Sequence, residues 1–126
     1  MTHTRTEITA LMRRHGLEAS RALGQNFVAD PNTVRRIARL AGVSAGDHVV
    51  EIGPGLGSLT LALAETGASV TAVEMDRFVL PALREVVEGL DVSVVEGDAR
   101  TVDWAEVLSA SERWHLVANL PYNVAT

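Results

Sequence analysis

The residues best suited to chemistry in this sequence are a carboxylate and the glycine-rich turn that follows it. Glu51 stands just before the turn at Gly53 to Gly57, which separates a valine-rich run from a helical pattern. Glycines at such a turn let the backbone approach a ligand closely. The last glycine falls one position earlier than in the dinucleotide fingerprint, and a carboxylate repels a pyrophosphate. An NAD-dependent oxidoreductase is therefore disfavoured, and a ligand with a cationic amino group is favoured.

Two more acids follow the next two apolar runs. Glu74 comes roughly 20 residues after the glycines, where an acid in this topology accepts hydrogen bonds from both hydroxyls of a ribose. Asp98 is suited to accept from the exocyclic amine of an adenine, although taken alone it is equally typical of a turn or a helix cap. The carboxyl ends of parallel strands meet at one edge of a sheet, so we expect these acids around one crevice. Together with Glu51, they indicate S-adenosylmethionine as the cofactor.

The tetrapeptide Asn119-Leu120-Pro121-Tyr122 provides the candidate catalytic residues. An adenine N6 is a weak nucleophile because its lone pair is delocalised into the ring. The amide oxygen of Asn119 and the carbonyl of Leu120 are suited to accept hydrogen bonds from that amine. Pro121 fixes the turn, and Tyr122 offers a face on which an extruded base can stack. In isolation, the same four residues would be read as a proline turn beside a half-buried tyrosine.

The pattern of apolar residues predicts how these groups are positioned. Short runs rich in valine or isoleucine predict buried strands at residues 48–52, 69–73, 92–95 and 115–118. Helical patterns lie between them at residues 58–66, 77–88 and 104–109. This alternation predicts an α/β fold, a Rossmann-like open parallel sheet with flanking helices. Pro81 means that the second of these helices either begins near Leu80 or is kinked.

Two further helices are expected ahead of the sheet, at residues 6–15 and 32–41. For the second, Asp30 is the expected N-cap, Pro31 the first helical residue and Gly42 the terminator.

Composition and charge limit the possible functions. With 126 residues and 47% hydrophobic content, one modest core is expected. There is no cysteine, and the four histidines have no metal-ligand spacing, so neither disulfides nor a metal site is expected. No signal peptide or membrane span is expected. The absence of cysteine fits a reducing cytoplasm, and we expect a monomer. Residues 1–40 carry a net charge of +4 and residues 41–126 a net charge of −9, so a basic segment that could contact phosphates precedes an acidic body.

With these motifs assembled, residues 17–123 resemble the ribosomal RNA adenine dimethylase family, a group of class I S-adenosylmethionine-dependent methyltransferases. The most specific element is the segment Leu23 to Phe27, followed by Asp30. Two departures from the family pattern are mild. Arg21 stands where lysine is common, and Val28 stands where leucine is common.

The resemblance implies roles for individual residues. It implies cofactor contacts from the segment that folds over the cofactor, from the glycine turn and from the strand ends, namely Gln25, Asn26, Val28, Gly53, Gly55, Glu74, Met75, Asp98, Ala99 and Asn119. It assigns Asn119, Leu120, Pro121 and Tyr122 to the catalytic motif.

The resemblance also implies an activity and a domain organisation. Bacterial members transfer methyl groups from S-adenosylmethionine to N6 of two adjacent adenosines near the 3′ end of small-subunit (16S) ribosomal RNA, so the expected partner is this RNA in a precursor of the 30S particle during ribosome biogenesis. Residues 1–42 would form an N-terminal helical and cofactor-covering segment, and residues 43–126 a partial Rossmann-like methyltransferase domain. Family members continue through more strands and a helical domain. We therefore expect the fourth strand to be an uncovered edge, cofactor binding to be weaker than in an intact enzyme and turnover by this chain to be negligible.

Two alternatives remain open on the sequence alone. One is a non-catalytic ribosome assembly factor that binds ribosomal RNA. The other keeps methyl transfer and changes the acceptor to adenine N6 in another nucleic acid, such as DNA, or to a protein glutamine. Only the segment Leu23 to Phe27 favours ribosomal RNA, and it does so through family likeness.

Overall fold

Four parallel strands form the centre of the fold. They are β1 (His48–Ile52), β2 (Ser69–Glu74), β3 (Val92–Glu96) and β4 (His115–Ala118), hydrogen-bonded in the order β3-β2-β1-β4. The computed structural model describes residues 3–17 and 30–118. The predicted strand positions are confirmed, with β2 and β3 each one residue longer than predicted, so that Glu74 and Glu96 are the last residues of their strands.

Five helices flank this sheet within the described ranges. They are α1 (Arg5–Arg14), α2 (Pro31–Ala41), α3 (Ser58–Glu65), α4 (Leu80–Val87) and α5 (Trp104–Val107). The predicted cap of α2 is confirmed, because the Asp30 side chain accepts from the backbone N–H of Asn32 and the helix ends at Gly42 in the left-handed region. None of these helices is long and apolar enough to cross a membrane.

The start of α4 resolves the alternative that the sequence left open. The pattern allowed a helix from residue 77, but α4 begins at Leu80 and residues 77–79 form a turn. Pro81 therefore lies in the first turn of the helix, where the missing N–H has no intrahelical acceptor in any case. A late start, rather than a kink, accommodates the proline.

The strand order creates a switch in direction beside β1. The chain passes from β1 outward to β2 and β3, then returns to place β4 on the other side of β1. In the register, Val50 lies between Thr71 of β2 and Leu116 of β4. Ligands of open parallel sheets bind outside the carboxyl ends of the strands at such a switch point. Within the described residues, β4 pairs with β1 alone, as expected for an outer strand.

Two apolar clusters hold the helices on the sheet. The first joins α2 and α3 to β1 and β2, with members that include Val34, Ala38, Val49, Leu63 and Val70. The second joins α1 to the loop after β1 and to α4, through Ile8, Leu11, Leu56, Val79 and Ala82. Burial of such side chains stabilises the fold by about 25 cal/mol per Å² of apolar surface removed from water. Both N-terminal helices are thus packed onto the body that carries the site.

Candidate functional site

The glycine-rich loop connects β1 to α3 at the carboxyl edge of the sheet. Gly53, Gly55 and Gly57 all have positive φ angles, of 75°, 57° and 88°. Gly57 needs to be glycine for a second reason, since a Cβ there would lie 3.1 Å from Leu83 Cδ1 and 3.2 Å from Val86 Cγ1. The loop is also tied to β2, because the N–H of Gly53 donates to the carbonyl of Val73 at 3.0 Å.

Glu51 lies beneath this loop with no exposed surface. Its Oε1 accepts a hydrogen bond from the Thr60 hydroxyl in the first turn of α3, and its Oε2 has no hydrogen-bond partner among the described residues. Burial raises the pKa of Glu51 to about 7, and repulsion from Glu74 adds to the rise. A buried carboxylate oxygen without a partner is costly, so this atom is suited to receive a cationic or hydrogen-bonding group of a ligand.

Glu74 ends β2 and is 3% exposed. Its Oε1 accepts from the N–H of Gly55 and its Oε2 accepts from the N–H of Asp76, both at 2.9 Å. Burial raises its pKa, and the two backbone hydrogen bonds oppose that rise. Each carboxylate oxygen has further acceptor capacity. Glu74 therefore fixes the glycine loop to the strand end, in addition to any role in ligand binding.

A groove of about 560 Å³ lies at the ends of β2 and β3, lined by Met75, Asp76, Glu96, Gly97 and Asp98. Met75 is 66% exposed and offers the groove an apolar surface. The side chain and backbone N–H of Arg100 both donate to Asp98, and these hydrogen bonds lower the pKa of Asp98 to about 2. The groove thus combines an exposed thioether with a permanently ionised carboxylate.

Ala99 has a structural partner of its own. Its carbonyl accepts from the indole N–H of Trp104 at 2.9 Å, which fixes the loop after β3 against α5.

The structure brings six of the predicted site residues to the same edge of the sheet. They lie at or just after the ends of β1, β2 and β3, namely Gly53, Gly55, Glu74, Met75, Asp98 and Ala99. The other predicted site residues lie outside the described residues, namely Gln25, Asn26, Val28, Asn119, Leu120, Pro121 and Tyr122. Within the described ranges no group of three or more His, Cys, Asp or Glu side chains could hold a metal ion.

Three residues at this site have contacts that the sequence did not predict. Thr60 donates to Glu51, Arg100 holds Asp98, and the imidazole of His3 contacts the Leu56 carbonyl in the glycine loop. Thr60 had a weak signal, since it is a polar residue within the apolar pattern of α3. His3 had none, because 53 positions separate it from its partner.

The arrangement fits a nucleoside that also carries a cationic amine. The Glu51 oxygen that no described residue satisfies is suited to the amine, and the groove between Met75 and Asp98 is suited to a flat base with an exocyclic amino group. Glu74, between these two positions along the sheet edge, retains acceptor capacity for hydroxyl groups.

Comparison with known proteins gives a consistent result. The family model described as ribosomal RNA adenine dimethylase matches residues 16–126. A ribosomal RNA small subunit methyltransferase A from Novosphingobium aromaticivorans is 48% identical over 118 residues, which cover 92% of this chain and 42% of that protein. The chain spans about two fifths of the length of the curated relatives it matches.

Solved structures with the same fold are also methyltransferases. The 23S rRNA methyltransferase ErmE is 32% identical with a TM-score of 0.66, over 79% of this chain and 39% of that one. A dimethyladenosine transferase from Plasmodium falciparum is 28% identical with a TM-score of 0.58, over 76% of this chain and 34% of that one. The predicted fold class, a Rossmann-like methyltransferase with a parallel sheet and flanking helices, is confirmed.

Proposed function

Because the chain belongs to the ribosomal RNA adenine dimethylase family, we propose that it forms the cofactor-binding part of an S-adenosylmethionine-dependent methyltransferase. The acceptor is N6 of two adjacent adenosines near the 3′ end of small-subunit ribosomal RNA, and the product is dimethyladenosine. The observation that carries this proposal is the buried carboxylate oxygen of Glu51 beneath the glycine loop, which has no hydrogen-bond partner in the part of the chain that the structure describes.

Different residues of the chain contact the three parts of the cofactor, which are its methionine part, its ribose and its adenine. Glu51 receives the amino group, with Gly53 and Gly55 against the methionine part. Glu74 accepts from the ribose hydroxyls, while Met75, Asp98 and Ala99 contact the adenine. Gln25, Asn26 and Val28 cover the cofactor from the other side. When bound, S-adenosylmethionine supplies an electrophilic methyl group, so these residues need only orient it and exclude water.

The tetrapeptide after β4 prepares the acceptor. Asn119 and the carbonyl of Leu120 accept hydrogen bonds from the adenine N6 amine, which draws its lone pair out of conjugation. Tyr122 stacks on the extruded base, and Pro121 fixes the turn that presents these groups. No strong base is required, because the amine loses its proton readily once it has been methylated.

The wider setting of the reaction follows from its substrate. We place the protein in the cytoplasm as a monomer that acts on ribosomal RNA in a precursor of the small subunit. Residues 1–42 cover the cofactor, and residues 43–126 form part of the methyltransferase domain. Size-exclusion chromatography with light scattering tests the monomer.

Titration calorimetry of the chain tests the cofactor assignment. At pH 8, where Glu51 is mostly ionised and repels a pyrophosphate, we expect S-adenosylhomocysteine to bind and NADH not to bind. Binding of NADH alone, or of neither ligand, would overturn the assignment.

Replacing Glu74 by alanine is expected to weaken S-adenosylhomocysteine binding by about 1 to 3 kcal/mol, since two hydroxyl hydrogen bonds to a carboxylate are lost. The loss also frees the N–H of Gly55, which Glu74 holds at 2.9 Å. Calorimetry gives the affinity, with Glu112→Ala as a control for removal of an exposed carboxylate. Equal effects of the two substitutions would refute the role of Glu74.

Methyl transfer is tested on undermethylated small-subunit particles with radiolabelled S-adenosylmethionine. The chain is compared with a chimera that continues it with the remaining part of the Phenylobacterium zucineum relative, which is 53% identical over the matched region. We expect dimethyladenosine in digested RNA from the chimera and its loss on Asn119→Ala. Retention of particle binding by that variant separates catalysis from binding, whereas full methylation by it would contradict the catalytic role of Asn119.

A further inference from the structure

His3 and helix α1, which begin the described residues, contact the glycine loop at Leu56. The His3 side chain is buried, and its Nε2 lies 3.0 Å from the carbonyl oxygen of Leu56. A carbonyl only accepts, so Nε2 carries the proton and donates. Ile8 and Leu11 of α1 pack against the Leu56 side chain, which is 1% exposed. One residue of the loop is therefore held by both a hydrogen bond and an apolar contact.

Helix α1 is capped at its start and is held to α4 at its end. At its start, Thr4 and Glu7 form a reciprocal capping box, which sets the direction of the chain directly after His3. At its end, the Arg14 guanidinium and the His15 imidazole both contact the Glu85 carboxylate of α4. The contacts with Glu85 and the apolar contacts of Ile8 and Leu11 together hold α1 against α4 and against the loop that contains Leu56.

Glu74 also holds the same loop, through a hydrogen bond to its backbone. Leu56 is preceded by Gly55, whose N–H donates to Glu74, and followed by Gly57, the N-cap of α3. Glycines restrict the backbone little, so contacts with neighbouring elements determine where this loop lies. Glu74 thus holds Gly55 and His3 holds Leu56, so two residues that are far apart in sequence fix neighbouring positions of the loop.

We propose that α1 positions the glycine-rich loop for cofactor binding and that His3 is the positioning residue, acting through Leu56. This inference rests on the proposed function, since it concerns the same cofactor site. The family model begins at residue 16, after α1 has ended, so the proposed role belongs to a part of the chain outside that match.

Calorimetric titration of the chain with S-adenosylhomocysteine tests the proposal. His3→Ala is expected to weaken binding about 3- to 10-fold, the equivalent of one net hydrogen bond. His3→Gln should restore most of the affinity, because its amide N–H can donate to the same carbonyl. Val43→Ala removes core volume away from the loop. It is expected to lower the urea midpoint without changing the affinity.

The outcomes are distinguishable. Unchanged affinity in His3→Ala, no recovery in His3→Gln, or an equal loss of affinity in Val43→Ala would each overturn the role of His3 and leave the proposed function intact. No binding by the unchanged chain would overturn both. If His3→Ala fails to fold, Ile8→Val provides a milder change on the same helix. It is expected to weaken binding about 2-fold, with the moderate loss of stability that removal of one buried methylene causes, and unchanged affinity there also counts against the proposal.

Discussion

A fully buried carboxylate at the end of β1 is costly to ionise. The Thr60 hydroxyl satisfies one oxygen of Glu51, and no described residue satisfies the other. The pKa of about 7, against an ordinary value of 4.5, means that the folded chain holds this proton more tightly than the unfolded chain does. The stability that Glu51 contributes is therefore fully present below about pH 4.5 and is lost as the pH rises through about 7.

Glu51→Gln is expected to reduce the pH dependence of stability. Between pH 8 and pH 6, protonation of Glu51 adds about 1 kcal/mol to the free energy of unfolding of the unchanged chain, and the glutamine variant lacks this gain. Glu74, whose pKa burial also raises, contributes with the same sign in both proteins. Urea unfolding at the two pH values measures the difference. An identical gain in both proteins would show that Glu51 does not titrate in this range.

At the residue scale, the acidic residues of the site were predictable from the sequence, but their hydrogen-bond partners were not. Glu51 and Glu74 were recognisable because an acid at the end of an apolar run is unusual. Their partners were not recognisable, because the Thr60 and Gly55 contacts depend on how the loop turns over the strand ends. The turn interpretation of Asp98 also has support, since it accepts from the N–H of Arg100 two residues later.

At the element scale, the loop after β1 depends on the helix that packs over it. Gly57 has a positive φ and lies where an added Cβ would come close to Leu83 and Val86 of α4. Backbone conformation and helix packing therefore both favour glycine at position 57 of the loop.

Gly57→Ala is expected to destabilise the chain by about 1 to 3 kcal/mol more than Gly46→Ala. Both glycines have similar φ angles, of 88° and 91°, so both alanines carry the left-handed strain. A Cβ at Gly46 meets nothing within 4 Å, whereas one at Gly57 requires the Leu83 and Val86 side chains of α4 to shift by a few tenths of an ångström. Chemical denaturation gives both values, and equal losses would exclude the packing contribution.

Strand and helix positions were largely predictable because apolar periodicity and Gly, Pro and Asp signals are local. Residues 48–52 and 115–118 were predicted as they occur in β1 and β4. The sequence alone does not decide where α4 starts, because its helical pattern extends through residues 77–79, whereas in the structure the Asp76 side chain accepts from the N–H of Phe78 and forms a turn there. A capped turn and a first helical turn look alike in sequence.

At the scale of the whole molecule, charge is distributed unevenly between elements. Helix α2 contains three arginines and no acid. Arg35 forms an ion pair with Glu65, whereas the exposed Arg36 and Arg39 have no ion-pair partner within the described residues. Within an acidic chain, this face of α2 is suited to contact the phosphates of the proposed RNA substrate.

Charge reversal of Arg36 and Arg39 together is expected to weaken binding to a small-subunit RNA fragment. The slope of log affinity against log salt should fall by about 1 for each phosphate that the variant no longer neutralises. Reversal of the exposed Arg84 and Arg113 provides a control with the same change in net charge. Filter binding across a salt series separates the two, and equal effects would indicate that net charge alone determines RNA affinity.

The strand order also determines which strand separates from the sheet at the lowest cost in free energy. His48 pairs with Ser69, close in the chain, whereas Val49 pairs with His115 across a much longer stretch. Closing the longer stretch costs about 1 kcal/mol more in chain entropy, and β4 gains hydrogen bonds from one neighbour only within the described residues. Local opening can therefore detach β4 while β1, β2 and β3 stay hydrogen-bonded to one another.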